Sequence, residues 1–201
     1  MKKVQCSFAL AVLMILALAL DEGGDLLLLV AAAGVHEVGH LLAILLQGAR
    51  VNGLRFTAGG LVIDYSGARL SYLGDMVTAL AGPLFSILAA VAAAAFGKFL
   101  SSDGFFYFAG LNLLLGLFNL VPVPPLDGGR ALGALLTDGL GPVRAESICR
   151  AGMRVFSALL LTAGGVLLLR FRNPSLLLTS LMLLMGDGDK NTLQQSPFGV
   201  L

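Results

Sequence analysis

Residues 76–97, MVTALAGPLFSILAAVAAAAFG, run for 22 positions without a charged side chain. An α-helix needs roughly 20 apolar residues to cross a bilayer. Residues 26–47, 104–121 and 148–169 are likewise long apolar runs, broken only by Glu37, Arg150 and Arg154, and 4–20 is a shorter one. Only 12% of the 201 residues are charged, and mean hydropathy is +0.91. An average soluble domain carries about twice that charge fraction, so there is too little polar surface to cover a water-soluble core. The chain is therefore expected to be an all-α polytopic membrane protein with about 5–6 transmembrane helices.

The N-terminal run, 4–20, follows Lys2 and Lys3 and fits either an uncleaved helix, the preferred reading, or a signal peptide with "ALA" at 17–19 as its cleavage site. Residues 48–75 are semi-polar and Gly-rich, with alternation in "LVIDYS". They read as a membrane-associated β-hairpin or re-entrant loop between the second and third spans. After the fourth span, ending in "FNLVPVPPLDGGR", a short helical piece is expected at about 129–138. Residues 174–186 are too short for a firm sixth span, and 187–201 form a polar tail. No repeat or linker divides the chain. A single domain is expected over 1–201, with a core at about 26–140 and accessory helices at 4–20 and 148–186. With the N-terminus in the cytoplasm, ten of the 13 Lys and Arg residues fall on the cytoplasmic side. Cys6 and Cys149 have no metal or redox spacing, and no basic cluster suggests nucleic acid.

One stretch conflicts with its surroundings. "VHEVGH" at 35–40 puts two histidines and a glutamate inside the second span. His36 stands about ten residues in, hence roughly 15 Å deep, near the midplane of a core about 30 Å thick. Ionisable groups at that depth are expensive and face the bundle interior or a wet cavity. His36 and His40 are four apart, on one helix face. H-E-x-x-H on a helix lets two imidazoles bind one Zn²⁺ while the glutamate, here Glu37, acts as general base on water. These are the only two histidines, and the chance of this spacing with a Glu after the first is on the order of 10⁻⁴. The competing reading is a buried polar cluster that ties helices together.

A catalytic zinc site usually takes three protein ligands. With no further histidine, the best candidate is Asp127 in "NLVPVPPLDGGR". Pro122, Pro124 and Pro125 break the fourth span before it. Gly128 and Gly129 let the chain turn or another backbone approach. Asp127 could equally be a helix N-cap. A 2-His-1-carboxylate set also holds Fe(II).

HEVGH in an apolar span, followed about 80 residues later by N-x-x-P-x-P-P-L-D-G, resembles the site-2 protease family of intramembrane zinc metalloproteases, in its compact bacterial form without a PDZ-like insert. The resemblance covers roughly residues 26–140. It implies that His36, His40 and Asp127 bind one Zn²⁺, that Glu37 is the base, and that Asn119 hydrogen-bonds the oxyanion. "TAGGLVIDYSG" is similar to the family's hairpin, which is proposed to pair with an extended substrate. "AGPLFS" (81–86) resembles A-G-P-L-x-N, with Ser86 where Asn is common, and no chemistry is assigned to Ser86. The resemblance further implies a transmembrane protein as substrate, the lipid bilayer as surroundings and a membrane regulatory protein as a further candidate partner. It places the protein in a bacterial cell membrane as a multi-pass protein with a site open to the cytoplasm, releasing a fragment such as a transcription factor. Rival readings are a membrane enzyme acting on a lipid or small molecule, and a non-proteolytic transporter or scaffold with a buried polar site.

Overall fold

The computed structural model describes residues 3–6, 23–57, 60–66 and 71–171. The chain divides into two compact units, Met1–Leu120 and Val121–Leu201. Most of the 4–20 run, the 172–186 stretch and the polar tail lie outside the described residues.

The first unit contains a three-stranded sheet in the order β1 (Lys3–Cys6), β2 (Arg50–Thr57), β3 (Gly60–Ser66). β2 and β3 pair antiparallel, from Arg50 opposite Ser66 to Thr57 opposite Gly60, with a bulge between Val51 and Gly53. β1 lies parallel to β2, with Lys3 opposite Gly53 and Cys6 opposite Phe56. This corrects the expected helix from residue 4, because residues 3–6 are extended. Gln5 makes this the least apolar part of its run, and the β2 edge offers the backbone partners that an extended segment must find.

Three helices complete this unit: α1 (Asp25–Leu46), α2 (Tyr72–Leu100) and α3 (Asp103–Asn119). α1 ends in a Schellman turn. The Gly48 amide bonds Leu45 O at 3.0 Å and the Ala49 amide bonds Ile44 O at 3.3 Å, with Gly48 at φ 79°. At the start of α2 the Ser71 side chain accepts from the Gly74 amide at 3.1 Å, a cap that lets the helix begin before the apolar run.

The three helices pack on one another through small and polar residues. Their buried positions include Ala32, His36, Gly39 and Ala43 on α1, Thr78, Gly82, Ser86 and Ala90 on α2, and Ala109, Asn112 and Gly116 on α3. Large apolar side chains point outward, with Leu46 86% and Phe99 84% exposed. The largest fully buried side chains are Asn112, Pro83, Ser86 and Ser157, with no Leu or Phe among them. A water-soluble domain sorts the other way. In lipid there is no hydrophobic drive between helices, and close contact of small residues replaces it. At Gly39 a Cβ would stand 2.6 Å from the Ala81 carbonyl oxygen and 2.7 Å from Phe85 Cβ, so α1 and α2 touch there backbone to backbone.

The second unit begins with an irregular segment from Val121 to Leu126 and continues as α4 (Asp127–Leu140) and α5 (Pro142–Phe171), which pack together. Gly141, at φ 80°, joins them. Cys149 on α5 is a buried free thiol. Among the described residues, α1, α2 and α5 are long and apolar enough to cross a membrane. α3, with 17 residues, is about 26 Å long, short of a core about 30 Å thick.

Candidate metal centre

His36 and His40 sit on the buried face of α1, each 6% exposed. α2 runs past them, and its residues Thr78, Gly82 and Ser86, spaced four apart, form the facing stripe. His40 Nδ1 lies 2.8 Å from the Thr78 carbonyl oxygen. A carbonyl only accepts, so Nδ1 carries the proton and a neutral His40 presents the lone pair of Nε2. His36 Nδ1 lies 3.0 Å from Ser86 Oγ. With both Nδ1 atoms held by α2, the two Nε2 atoms converge to 3.2 Å, the rings meeting edge-on at 78°.

This arrangement can be tested against a metal ion directly. A tetrahedral ion of zinc's size, with metal–nitrogen bonds of about 2.0–2.1 Å, spans two nitrogens roughly 3.3 Å apart. The observed separation of 3.2 Å fits. Metal-bound histidines also engage their second ring nitrogen with an oxygen acceptor, as both do here.

Gly82 makes room for this. A Cβ on it would collide with His40 Nε2 and stand 2.5 Å from Cε1 and 2.8 Å from Cδ2. The imidazole thus lies flat on the α2 backbone between Thr78 and Ser86. Thr78 is tied a second time, because Gln47 Nε2 donates to Thr78 Oγ1 at 2.8 Å and to Ala43 O at 3.0 Å. Two of these residues, Gly82 and Ser86, lie in "AGPLFS", but nothing in that stretch marks them, or Thr78, as partners of the histidines. Their spacing, T-x₃-G-x₃-S, matches that of the two histidines and was the available signal. Glu37 is neighbour to the pair on α1 and half-buried. Asn119 closes α3, and its Nδ2 donates to Leu115 O at 2.9 Å.

In the second unit, Asp127 is the first residue of α4 and 7% exposed. The N-cap is Leu126, which makes no side-chain cap bond, so Asp127 does not cap this helix. Arg130 Nη1 lies 3.4 Å from Asp127 Oδ1. Before Asp127 the Leu126 amide bonds Val123 O at 3.0 Å, closing a turn around a cis Pro124–Pro125 bond. Helix α4 starts at 127 rather than about 129, and Gly129 shows why a glycine stands there. A Cβ on it would collide with the Val123–Pro124 backbone and approach Val123 O to 2.6 Å. Each unit thus contributes buried donors of a kind that metals take: the two imidazoles of His36 and His40 in the first, and the Asp127 carboxylate in the second.

Comparison with known proteins points the same way. Residues 100–163 match the profile described as Peptidase family M50. A zinc metalloprotease of Methanocaldococcus jannaschii is 29% identical over 166 residues, 80% of this chain and 47% of that protein. Rip3 of Mycobacterium tuberculosis, a candidate zinc metalloprotease, is 32% identical over 155 residues, 72% of this chain and 39% of that protein. In structure, the site-2 protease from Methanocaldococcus jannaschii aligns with a TM-score of 0.66 at 23% identity, over 91% of this chain and 88% of that one.

In sequence and in fold the chain is similar to the site-2 proteases of peptidase family M50. It spans less than half the length of the two curated relatives. The histidine pair lies before the residues that the M50 profile matches, and Asp127 lies among them.

Proposed function

We propose that this protein is an intramembrane zinc metalloprotease, cleaving a peptide bond within or near a transmembrane segment of another membrane protein. The observation that carries the reading is the pair of Nε2 atoms 3.2 Å apart on a membrane-length helix, each ring fixed through Nδ1. In each ring Nδ1 is held by α2, and Nε2 is turned toward the other ring at the separation a shared metal ion spans.

His36, His40 and Asp127 hold one Zn²⁺ in this reading. When bound, the ion supplies Lewis acidity that polarises a scissile carbonyl and brings the pKa of water toward neutrality. The remaining work falls to the chain. Glu37 takes a proton from the attacking water on a carboxylate oxygen and returns it to the leaving amine. Asn119 Nδ2 turns from the Leu115 carbonyl to donate to the oxyanion forming on the substrate. A transmembrane helix hides its amides in internal hydrogen bonds, so the substrate must be extended locally. β3 is an edge strand of the sheet and presents the backbone groups that an extended segment can pair with.

This function requires β2 and β3 to lie against the membrane and the site to open to the cytoplasm, where most Lys and Arg fall. The reading keeps the expected count of about 5–6 transmembrane helices for the whole chain. Cleavage then releases a cytoplasmic fragment, such as a transcription factor, under control of a membrane regulatory protein.

The test is metal content of the full chain in detergent, beside cleavage of a single-pass substrate in liposomes. About one zinc per chain is expected in wild type and Glu37→Gln, with loss in His36→Ala and Asp127→Ala. Folded wild type that takes up no zinc refutes the reading.

A further inference from the structure

We infer that Thr78 and Gln47 are positioning residues that aim the His40 imidazole, and so set how tightly the site holds its metal. The inference rests on the metal-site reading above.

Gln47, the C-cap of α1, lies seven residues after His40, two turns along one face. Both end on the same residue of α2. His40 Nδ1 donates to Thr78 O at 2.8 Å, and Gln47 Nε2 donates to Thr78 Oγ1 at 2.8 Å. Thr78 is 4% exposed, so its end of each bond is shielded from water. A threonine inside a helix commonly turns its hydroxyl back to its own i−4 carbonyl. Here the hydroxyl oxygen also serves a neighbouring helix.

Two features make this tie matter at this position. Pro83 has no N–H for the Ala79 carbonyl, so the α2 ladder is interrupted one residue beyond the carbonyl that His40 uses. A lateral bond from Gln47 braces the backbone where its own bonding is weakest. Gly82 also presents no side chain to wall the ring. The ring's direction is therefore set by its Nδ1 bond together with its contact on the Gly82 backbone. Outer partners of this kind fix tautomer and orientation, and their loss typically weakens metal affinity about 10–100-fold.

Thr78→Val removes Oγ1 but keeps the backbone carbonyl. Gln47→Leu removes the donor from a half-buried site at the helix end. The full chain in detergent would be titrated with Zn²⁺ against a chromophoric chelator, and its Co²⁺ form read by visible absorption. Each variant is expected to raise the zinc Kd about tenfold or more and to shift the Co²⁺ bands. The double variant should lose little beyond either single change, since both remove the Gln47–Thr78 bond. Thr78→Ser, which keeps the oxygen, should restore wild-type affinity. Wild-type affinity and spectrum in Thr78→Val and Gln47→Leu would overturn the inference, even if their melting temperatures fall. Wild type that binds no zinc would instead overturn the metal site itself, and this inference with it.

Discussion

Replacing Gly82 by alanine adds a single methyl group, yet it should disable the metal centre. The new Cβ would stand 2.5 Å from His40 Cε1 and 2.8 Å from Cδ2, where ordinary contacts begin at 3.4 Å. The ring must therefore retreat by about 1 Å, five times the ±0.2 Å that a metal–ligand distance tolerates. Retreat also strains the 2.8 Å bond from His40 Nδ1 to Thr78 O. The alternative, moving α2 away from α1, opens the contact at Gly39, where the two backbones already touch. Overpacking of this kind costs about 1–3 kcal/mol, so the variant should still fold. Zinc affinity should fall about 100-fold, the upper end for a lost outer partner, and cleavage by about 10²-fold, as for a 1 Å misplacement. Isothermal zinc titration beside a substrate-cleavage assay measures both. Gly34→Ala is the control, because its Cβ meets nothing within 4 Å, and it should leave both readouts unchanged. If Gly82→Ala binds zinc and cleaves like wild type, the imidazole does not rest where described and the account of the site is wrong.

Three further outcomes are expected. Glu37→Gln should keep its zinc and lose cleavage by at least about 10²-fold, the usual share of a general base, and retained turnover would move the proton transfer elsewhere. Asn119→Ala should lower kcat by about 10²–10³-fold at unchanged zinc content, whereas an unchanged kcat would confine the Asn119 amide to its bond with Leu115. Gly129→Ala drives a Cβ into the Val123–Pro124 backbone, which no side-chain rotation relieves. Its melting temperature and zinc content should fall together, since Asp127 stands two residues earlier, and an undisturbed variant would show that the turn before α4 can give way.

Element boundaries were legible where hydropathy alone decides them and shifted where polar chemistry does. α2 runs from Tyr72 to Leu100 rather than 76–97, because the Ser71 cap and Asp75 in the first turn stabilise a helix while breaking the apolar run. α5 starts at Pro142 rather than 148 for the same kind of reason. Proline suits the first helical position, but Arg144 and Glu146 hide that start from a hydropathy reading. At the other end of the chain, residues 3–6 read as part of an apolar span and are a strand, since the partner that extends them, β2, lies some 50 residues away.

The metal centre divides along a different line. His36, Glu37 and His40 stood out because ionisable groups within an apolar span have few uses. Thr78, Gly82 and Ser86 did not, although each lies against an imidazole. In a soluble protein the hydrophobic pattern marks the buried face. Here the large apolar residues mark the outer face, and the buried face is written in Gly, Ala, Ser and Thr, which are common on any membrane helix. A glycine that seats a ligand and a glycine that merely allows close packing therefore look alike until the helices are placed. What distinguishes Gly82 is its register: it falls midway between two oxygen-bearing residues, four positions from each, the same step that separates the histidines they hold.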